Sequence, residues 1–199
     1  MTSKFTKQII AGEFKGKALK VPSKVTTRSS KTIVLESFFN TIQFEVCDAI
    51  FVEVFSGSGS IGLEALSRGA SKVIFMEQDR DALKILKENI SNLAPSKCEV
   101  YSGDSFVNIK NVIATLKEEV ENVYFYIDPP FPIREGKEEI YNQTTSLIKS
   151  IPSNIVKLII VEHMSDQNFS DSLGEFTKKK TKKFGKTSLS YYVSKDEDY

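Results

Sequence analysis

Between residues 49 and 162 the chain alternates between two kinds of segment, and that alternation limits its folds more than any other property. Apolar runs rich in Val, Ile and aromatic residues predict strands near 49–55, 72–77, 97–102, 122–128 and 155–162. Segments with apolar residues at helical spacing predict helices near 59–68, 80–93, 104–118 and 136–150. A strand, a helix and another strand in succession return the chain in the same direction. Four such crossovers therefore call for an α/β fold with a mainly parallel sheet covered on both faces. The flanks differ. Residues 8–21 read as two short strands around Gly12 and Gly16, within a basic hairpin arm over residues 1–28. Pro22 to Thr27 form a connector, and Ser29 or Ser30 caps a helix through about Ile42, with Val34, Leu35, Phe38 and Phe39 facing inward. The main body spans 29–194. Near its end, Phe176 to Phe184 and Thr187 to Val193 read as two strands turning at Gly185, and 195–199 form a frayed tail.

The segment from Glu53 to Gly62 begins as a strand, passes through Phe55, Gly57 and Gly59, and continues into a helix. Its glycines satisfy G-x-G-x-x-G, and Glu77 lies twenty positions after Gly57, at the end of the next apolar run. That is the dinucleotide fingerprint, so a nicotinamide cofactor is one candidate. Glu53 argues otherwise. A carboxylate four residues before the first glycine repels a pyrophosphate, which a helix N-terminus otherwise attracts. The same acid favours a ligand that carries ammonium and sulfonium groups and no phosphate, as S-adenosylmethionine does.

A second motif, Asp128-Pro129-Pro130-Phe131, ends the run Val123–Ile127. Proline fixes φ near −65° and confines the preceding residue to extended conformations, so this is a stiff turn. It suits a planar ring with an exocyclic NH2. The Asp128 carboxylate and the Pro129 carbonyl accept the two N–H groups, and Phe131 stacks on the ring. The bland alternative is a Pro-rich stop to a buried strand. Glu53, Glu77, Asp104 and Asp128 all fall at or just past predicted strand ends, where ligands of open α/β sheets bind. Glu162, at the end of the fifth predicted strand, borders a substrate entrance in this reading.

The formal net charge of +1 hides an asymmetry. Residues 1–35 hold eight basic side chains against the single acid Glu13, and residues 178–186 hold six lysines. These segments carry +13 and the remaining residues −12, a distribution expected of two phosphate-binding patches on an acidic body. Lys15, Lys17 and Lys20 in the first segment, and Lys178, Lys179 and Lys180 in the second, are the candidate nucleic-acid contacts. No apolar run approaches the length that crosses a membrane, and no signal-peptide pattern follows Met1, so a cytoplasmic protein is expected. Cys47 and Cys98 are expected as two buried thiols. The lone histidine, His163, reads as structural or at the rim of a substrate site, and no metal is implied.

These residues also carry a resemblance. Glu53-x-Phe55-x-Gly57-x-Gly59, Glu77, Gly103-Asp104 and Asp128-Pro129-Pro130-Phe131 stand in the order found in class I amino-methyltransferases. Gln8-Ile9-Ile10-Ala11-Gly12-x-Phe14-x-Gly16, Glu36-x-x-Phe39-Asn40, Gly62 to Ala70 and Gly185-x-Thr187-x-Leu189-Ser190-x-Tyr192 resemble the RsmD family, guanine-N2 methyltransferases of small-subunit (16S) ribosomal RNA. The resemblance runs from about Gln8 to Tyr192. It implies a class I methyltransferase (Rossmann-like) fold with a mainly parallel seven-stranded sheet and one late antiparallel strand. It also implies S-adenosyl-L-methionine as cofactor, with Glu53 and the glycine loop at the methionine part, Glu77 on the ribose hydroxyls and Asp104 on the adenine amine. The expected partner is ribosomal RNA or a small-subunit assembly intermediate. The chain departs from the family pattern in three places. Arg28-Ser29-Ser30 replaces Arg-Pro-Thr, Ile33 and Leu35 stand where basic residues would fall, and Glu53 replaces the more usual aspartate.

Four other functions share parts of this pattern. A DNA or RNA adenine-N6 methyltransferase uses the same turn, but the roughly 65 residues between Gly59 and the strand before Asp128 hold two strand–helix units and no target-recognition domain. A protein-glutamine methyltransferase uses such a turn without needing two basic segments. A dehydrogenase leaves the Asp128 turn unexplained. A non-catalytic RNA-binding module leaves Asp128, Phe131 and the glycine loop without a purpose.

Overall fold

The computed structural model describes residues 5–22, 28–116, 122–130 and 139–196. The chain divides into two compact units, Met1–Ser105 and Phe106–Tyr199.

The first unit opens with an antiparallel pair, β1 (Thr6–Gln8) and β2 (Ala18–Lys20), in the register Lys7↔Leu19. These strands are shorter and more widely spaced than expected, with a nine-residue connector from Ile9 to Lys17 between them. The connector is held by the helix that follows the glycine loop, α2 (Ser60–Ser67). The buried Glu64 carboxylate accepts the N–H groups of Ile10 (2.7 Å) and Ala11 (3.1 Å). Ser67 accepts from Phe14 N–H at 2.9 Å and donates to the Ala11 carbonyl at 2.5 Å. Arg68 closes the cluster, with its Nε 2.7 Å from Glu64 and its guanidinium over the ring of Phe39. Charge-assisted bonds of this kind are worth about 1.5–3 kcal/mol each, which is why an acid is tolerated inside an apolar helix face.

Phe39 lies on α1 (Arg28–Thr41), where Val34, Leu35, Phe38 and Phe39 are all buried as expected. Of the two residues that replace basic positions of the family pattern, Leu35 joins the core and Ile33 is 57% exposed. Next come β3 (Ile50–Val54), β4 (Lys72–Glu77), α3 (Arg80–Ser91) and β5 (Cys98–Ser102). The strands lie parallel in the order β5-β4-β3, with Glu53 opposite Phe75 and Ile74 opposite Glu99.

The second unit holds most of α4 (Ser105–Leu116), then β6 (Val123–Ile127), α5 (Ile140–Lys149) and β7 (Val156–Met164). The chain ends in β8 (Ser172–Leu173), β9 (Phe176–Phe184) and β10 (Thr187–Ser194). The order is β6-β7-β10-β9-β8. β6 runs parallel to β7, while β10 runs antiparallel to both β7 and β9, the late antiparallel strand expected. β8, only two residues long, has no signal in the sequence and is additional to the strands expected. All five residues of β6 are buried, so Val123–Ile127 is a continuous apolar run rather than an alternating one.

The cysteines depart from expectation. Cys47 is exposed, because it sits in the loop that ends α1 rather than on a strand. Only Cys98 is partly covered, and burial pushes its thiol up to about 11. Among the described residues no helix is long and apolar enough to cross a membrane, and no cluster of three or more His, Cys, Asp or Glu is placed to hold a metal.

Candidate active site

In the first unit, the loop from β3 to α2 is shaped by its own main chain. Phe55 is held at φ 62°, unusual for a non-glycine residue, and Gly57 and Gly59 at 56° and 75°. Ser56 fastens the loop to β4. Its Oγ lies 2.7 Å from the Glu53 carbonyl and 3.1 Å from that of Met76, which share its one proton, and accepts the Met76 N–H at 2.9 Å. The two glycines have different reasons to be glycine. A Cβ on Gly59 would lie 2.4 Å from Leu86 Cδ1 and 3.1 Å from Phe75, so Gly59 lets helix and sheet close together. A Cβ on Gly57 would meet nothing within 4 Å. Gly57 therefore presents bare backbone to open space, the requirement for close approach of a ligand.

Glu53 is buried, and its carboxylate accepts from Gly62 N–H at 2.8 Å and Ile61 N–H at 3.4 Å. These are first-turn amides of α2, the groups that would otherwise bind a phosphate. The helix N-terminus is thus occupied by the protein's own carboxylate. Glu77, at the end of β4, accepts the N–H groups of Gly57 (2.6 Å), Gln78 (2.7 Å) and Asp79 (2.8 Å). The chain turns after β5 at Gly103, φ 119°, whose N–H donates to the Glu77 carbonyl, and Asp104 follows as an exposed side chain. Glu53, Phe55, Gly57, Gly59, Glu77 and Asp104 thus fall on one linked set of strand ends. An open cradle at Gly57, a carboxylate on the helix N-terminus and a hydrogen-bonded acid after β4 fit a phosphate-free adenosyl ligand with a cationic amino-acid part.

Asn89 was not singled out from the sequence. It lies on α3 at 2% exposure, accepts Lys20 N–H (2.9 Å) through Oδ1 and donates to the carbonyls of Lys20 (2.9 Å) and Ser58 (3.0 Å) through Nδ2. One amide therefore ties the arm to the glycine loop. The available signal was a polar residue at a core position of an amphipathic helix, between Leu86 and Ile90. Glu64, inside the apolar run Leu63–Leu66, was legible in the same way.

In the second unit, Asp128 follows β6 as a half-buried residue, Pro129 is buried and Pro130 partly so. Phe131 lies outside the described residues. Around this turn stand tyrosines that the sequence reading passed over. The fully buried Tyr126 donates its hydroxyl to Glu162 Oε2 at 2.7 Å. Burial, then the charges of Glu162 and Asp128, drives its phenol well above the ordinary value. Tyr141 on α5 accepts Met164 N–H at 3.0 Å. Its phenol is raised by burial first and by Asp128, Asp166 and Glu162 among other causes. His163 is 2% exposed and structural. Its Nδ1 lies 2.9 Å from the Met164 carbonyl, which only accepts, so Nδ1 carries the proton and Nε2 accepts from Ser190 at 2.9 Å. Ser190 in turn lies 2.9 Å from Thr181 on β9. Burial holds this imidazole below its ordinary value.

The six candidate lysines separate into two groups. Lys15 and Lys17 are exposed on the arm, and Lys179 is exposed where the β9–β10 register shifts. Lys180 is exposed, with its ammonium 5.0 Å from the Tyr191 ring centre. Lys20 is paired with Glu88. Lys178 is 12% exposed, 2.8 Å from Asp171 and 2.7 Å from the Phe169 carbonyl.

Residues 7–193 match the model of a family described as conserved hypothetical protein 95. YlbH of Bacillus subtilis (strain 168), provisionally named an rRNA methyltransferase, is 28% identical over 93% of this chain and 97% of its own length. The ribosomal RNA small subunit methyltransferase D of Haemophilus influenzae is 33% identical over 67% of this chain and 68% of its own. Among solved structures, yhhF of Escherichia coli, provisionally named a methyltransferase, superposes with a TM-score of 0.77 at 25% identity. That match covers 97% of this chain and all of the other.

Proposed function

The chain belongs to the family described as conserved hypothetical protein 95, the RsmD type of ribosomal RNA methyltransferase, and from that premise we propose that it methylates the exocyclic N2 amine of a guanine in small-subunit ribosomal RNA, using S-adenosylmethionine. The observation that carries the reading is the Asp128-Pro129-Pro130 turn at the end of a strand buried along its whole length. A turn rooted in such a strand keeps its acceptors in place when charge develops on the amine.

An aromatic amine is a poor nucleophile because its lone pair is delocalised into the ring. The Asp128 carboxylate and Pro129 carbonyl accept its two N–H bonds, which turns the lone pair out of conjugation and stabilises the positive charge that nitrogen gains. Asp128 is also placed to take the proton that nitrogen then loses. When bound, S-adenosylmethionine supplies an electrophilic methyl group on a sulfonium sulfur that leaves as a neutral thioether. Glu53 and Gly57 hold its amino-acid part, Glu77 its ribose hydroxyls and Asp104 its adenine amine. The target base leaves its stack to reach the turn, and Phe131 stacks on it. Lys15, Lys17, Lys179 and Lys180 hold the phosphates of ribosomal RNA or of a small-subunit assembly intermediate, while Lys20 and Lys178 hold the protein's own shape.

The test is to incubate the purified protein with methyl-labelled S-adenosylmethionine and small-subunit RNA, free and as an assembly intermediate, and to analyse the digested nucleosides. N2-methylguanosine at one position is expected. Label in N6-methyladenosine would move the reading to an adenine enzyme. Binding of NAD without binding of S-adenosylhomocysteine would overturn the cofactor.

A further inference from the structure

β6 and β7 run parallel with Tyr126 opposite Ile160 and Ile127 opposite Val161. The next residues are Asp128, just past β6, and Glu162, still within β7. Adjacent strands lie about 4.8 Å apart, and side chains two positions apart share a face. Tyr126 and Asp128 therefore share a face with Ile160 and Glu162. The Tyr126–Glu162 hydrogen bond of 2.7 Å joins the two strands on that face. Asp128, just past the end of β6, and Glu162, two residues before the end of β7, both present acceptors on that face. Both lie close enough to Tyr126 and Tyr141 to raise the two phenols.

Purine edges differ in what they offer such a pair. Guanine presents three hydrogens in a row along its N1–N2 side, one on N1 and two on N2. Adenine presents an acceptor at N1, which a carboxylate repels. We propose that Glu162 is a specificity-determining residue that accepts the guanine N1–H while Asp128 takes the neighbouring amine, and that Tyr126 aims the Glu162 carboxylate. This rests on the guanine-amine methylation reading of the Asp128 turn and adds to it the residue that chooses the base. Glu162 is 3% exposed, so a base edge that reaches it is out of water, where a mismatched polar contact is most costly.

Substitution in protein and substrate together tests this. 2-Aminopurine keeps the exocyclic amine of guanine but has an acceptor at N1. Ribosomal RNA fragments carrying guanine or 2-aminopurine at the mapped position would be compared by kcat/KM, for the wild type, Glu162→Gln and Tyr126→Phe. The wild type should favour guanine about 10- to 100-fold, as sites built to bond a given group reject analogues that lack it. Glu162→Gln, whose amide can turn an N–H toward a ring acceptor, should narrow the preference to roughly threefold or less. Tyr126→Phe should narrow it by less, and S-adenosylhomocysteine affinity should hold in both. The readout is a ratio within one preparation, so loss of folded protein cancels. A Glu162→Gln enzyme that keeps the wild-type ratio would overturn the proposal and leave Glu162 as the buried partner of Tyr126. Failure of the wild type to methylate guanine at all would remove the underlying reading and this one with it.

Discussion

The two units hold their acids in opposite ways. In the first, Glu53 and Glu77 are gripped by main-chain amides, those of Gly62 and Ile61 for one and of Gly57, Gln78 and Asp79 for the other. In the second, Glu162 is gripped by a side chain, the hydroxyl of Tyr126 on the neighbouring strand. An amide grip is made by the fold itself and survives changes to neighbouring side chains. A side-chain grip is made by particular residues far apart in the chain and can be retuned by changing one of them. A half that recognises an invariant cofactor fits the first arrangement, and a half that recognises one base among four fits the second.

The largest expected effect breaks the second half and spares the first. Asp128→Ala should lower kcat by about 10²–10³, the usual loss for one preorganised polar contact at a reacting centre. S-adenosylhomocysteine affinity, measured by calorimetry, should be unchanged. Near-full turnover in Asp128→Ala would end the assignment of the turn.

The reverse experiment acts on the glycine loop. Gly59→Ala places a Cβ 2.4 Å from Leu86 Cδ1, at a φ of 75° that already strains any side chain. Overpacking of this kind costs about 1–3 kcal/mol, with roughly 1–2 more for the left-handed backbone. Gly57→Ala meets no atom within 4 Å and incurs only the backbone term. Its unfolding midpoint should fall less than that of Gly59→Ala, and its larger loss should appear in cofactor affinity. Equal destabilisation by both variants, measured by denaturant titration, would show that the two glycines do not divide these roles.

That division also explains what could be read in advance. The glycine loop, Glu53 and Glu77 were legible because their partners lie within twenty residues and the demands on backbone φ admit few residue types. The Asp128 turn was legible because two prolines leave little conformational choice. The Tyr126–Glu162 contact was not, because it spans 36 positions and any core tyrosine looks the same in sequence. The ion pairs of Lys20 and Lys178 were hidden for a similar reason. A lysine in a basic run carries no mark of an acid such as Glu88 or Asp171 brought to it by folding. The arm's strands occupy Thr6–Gln8 and Ala18–Lys20 rather than adjoining Gly12 and Gly16, because Glu64 and Ser67, over fifty positions away, hold Ile9 to Lys17 in an irregular path.

A smaller effect lies in the acid range. His163 is the chain's only histidine, and burial lowers its pKa below the ordinary 6.5. The fold therefore favours the neutral imidazole, while the unfolded chain takes up a proton near 6.5. The stability this group contributes is complete above 6.5 and is lost as pH falls through the folded value. Thermal unfolding of the wild type should weaken with acid below 6.5 before carboxylates titrate, and His163→Gln should be flatter there. Parallel curves would mean that the imidazole protonates equally in both states.

The smallest effects concern the lysines, where one substitution applied in both units tests whether a folded partner removes a charge from RNA binding. Each phosphate neutralised on single-stranded RNA adds about −0.7 to the slope of log K against log salt. Lys15→Gln with Lys17→Gln should therefore flatten the slope by roughly 1.4, and Lys179→Gln by roughly 0.7. Lys20→Gln and Lys178→Gln should leave the slope nearly unchanged, since each ammonium faces its own acid. They should instead lower stability by up to about 1 kcal/mol, the range of such pairs near a surface. Salt-dependent binding to a ribosomal RNA fragment and thermal unfolding separate the two groups. If all five lysines flatten the slope alike, the ion pairs open to admit phosphate in both units. If only the exposed ones do, the pairing seen at Lys20 and Lys178 decides which charges meet RNA, in the amide-held half and in the side-chain-held half alike.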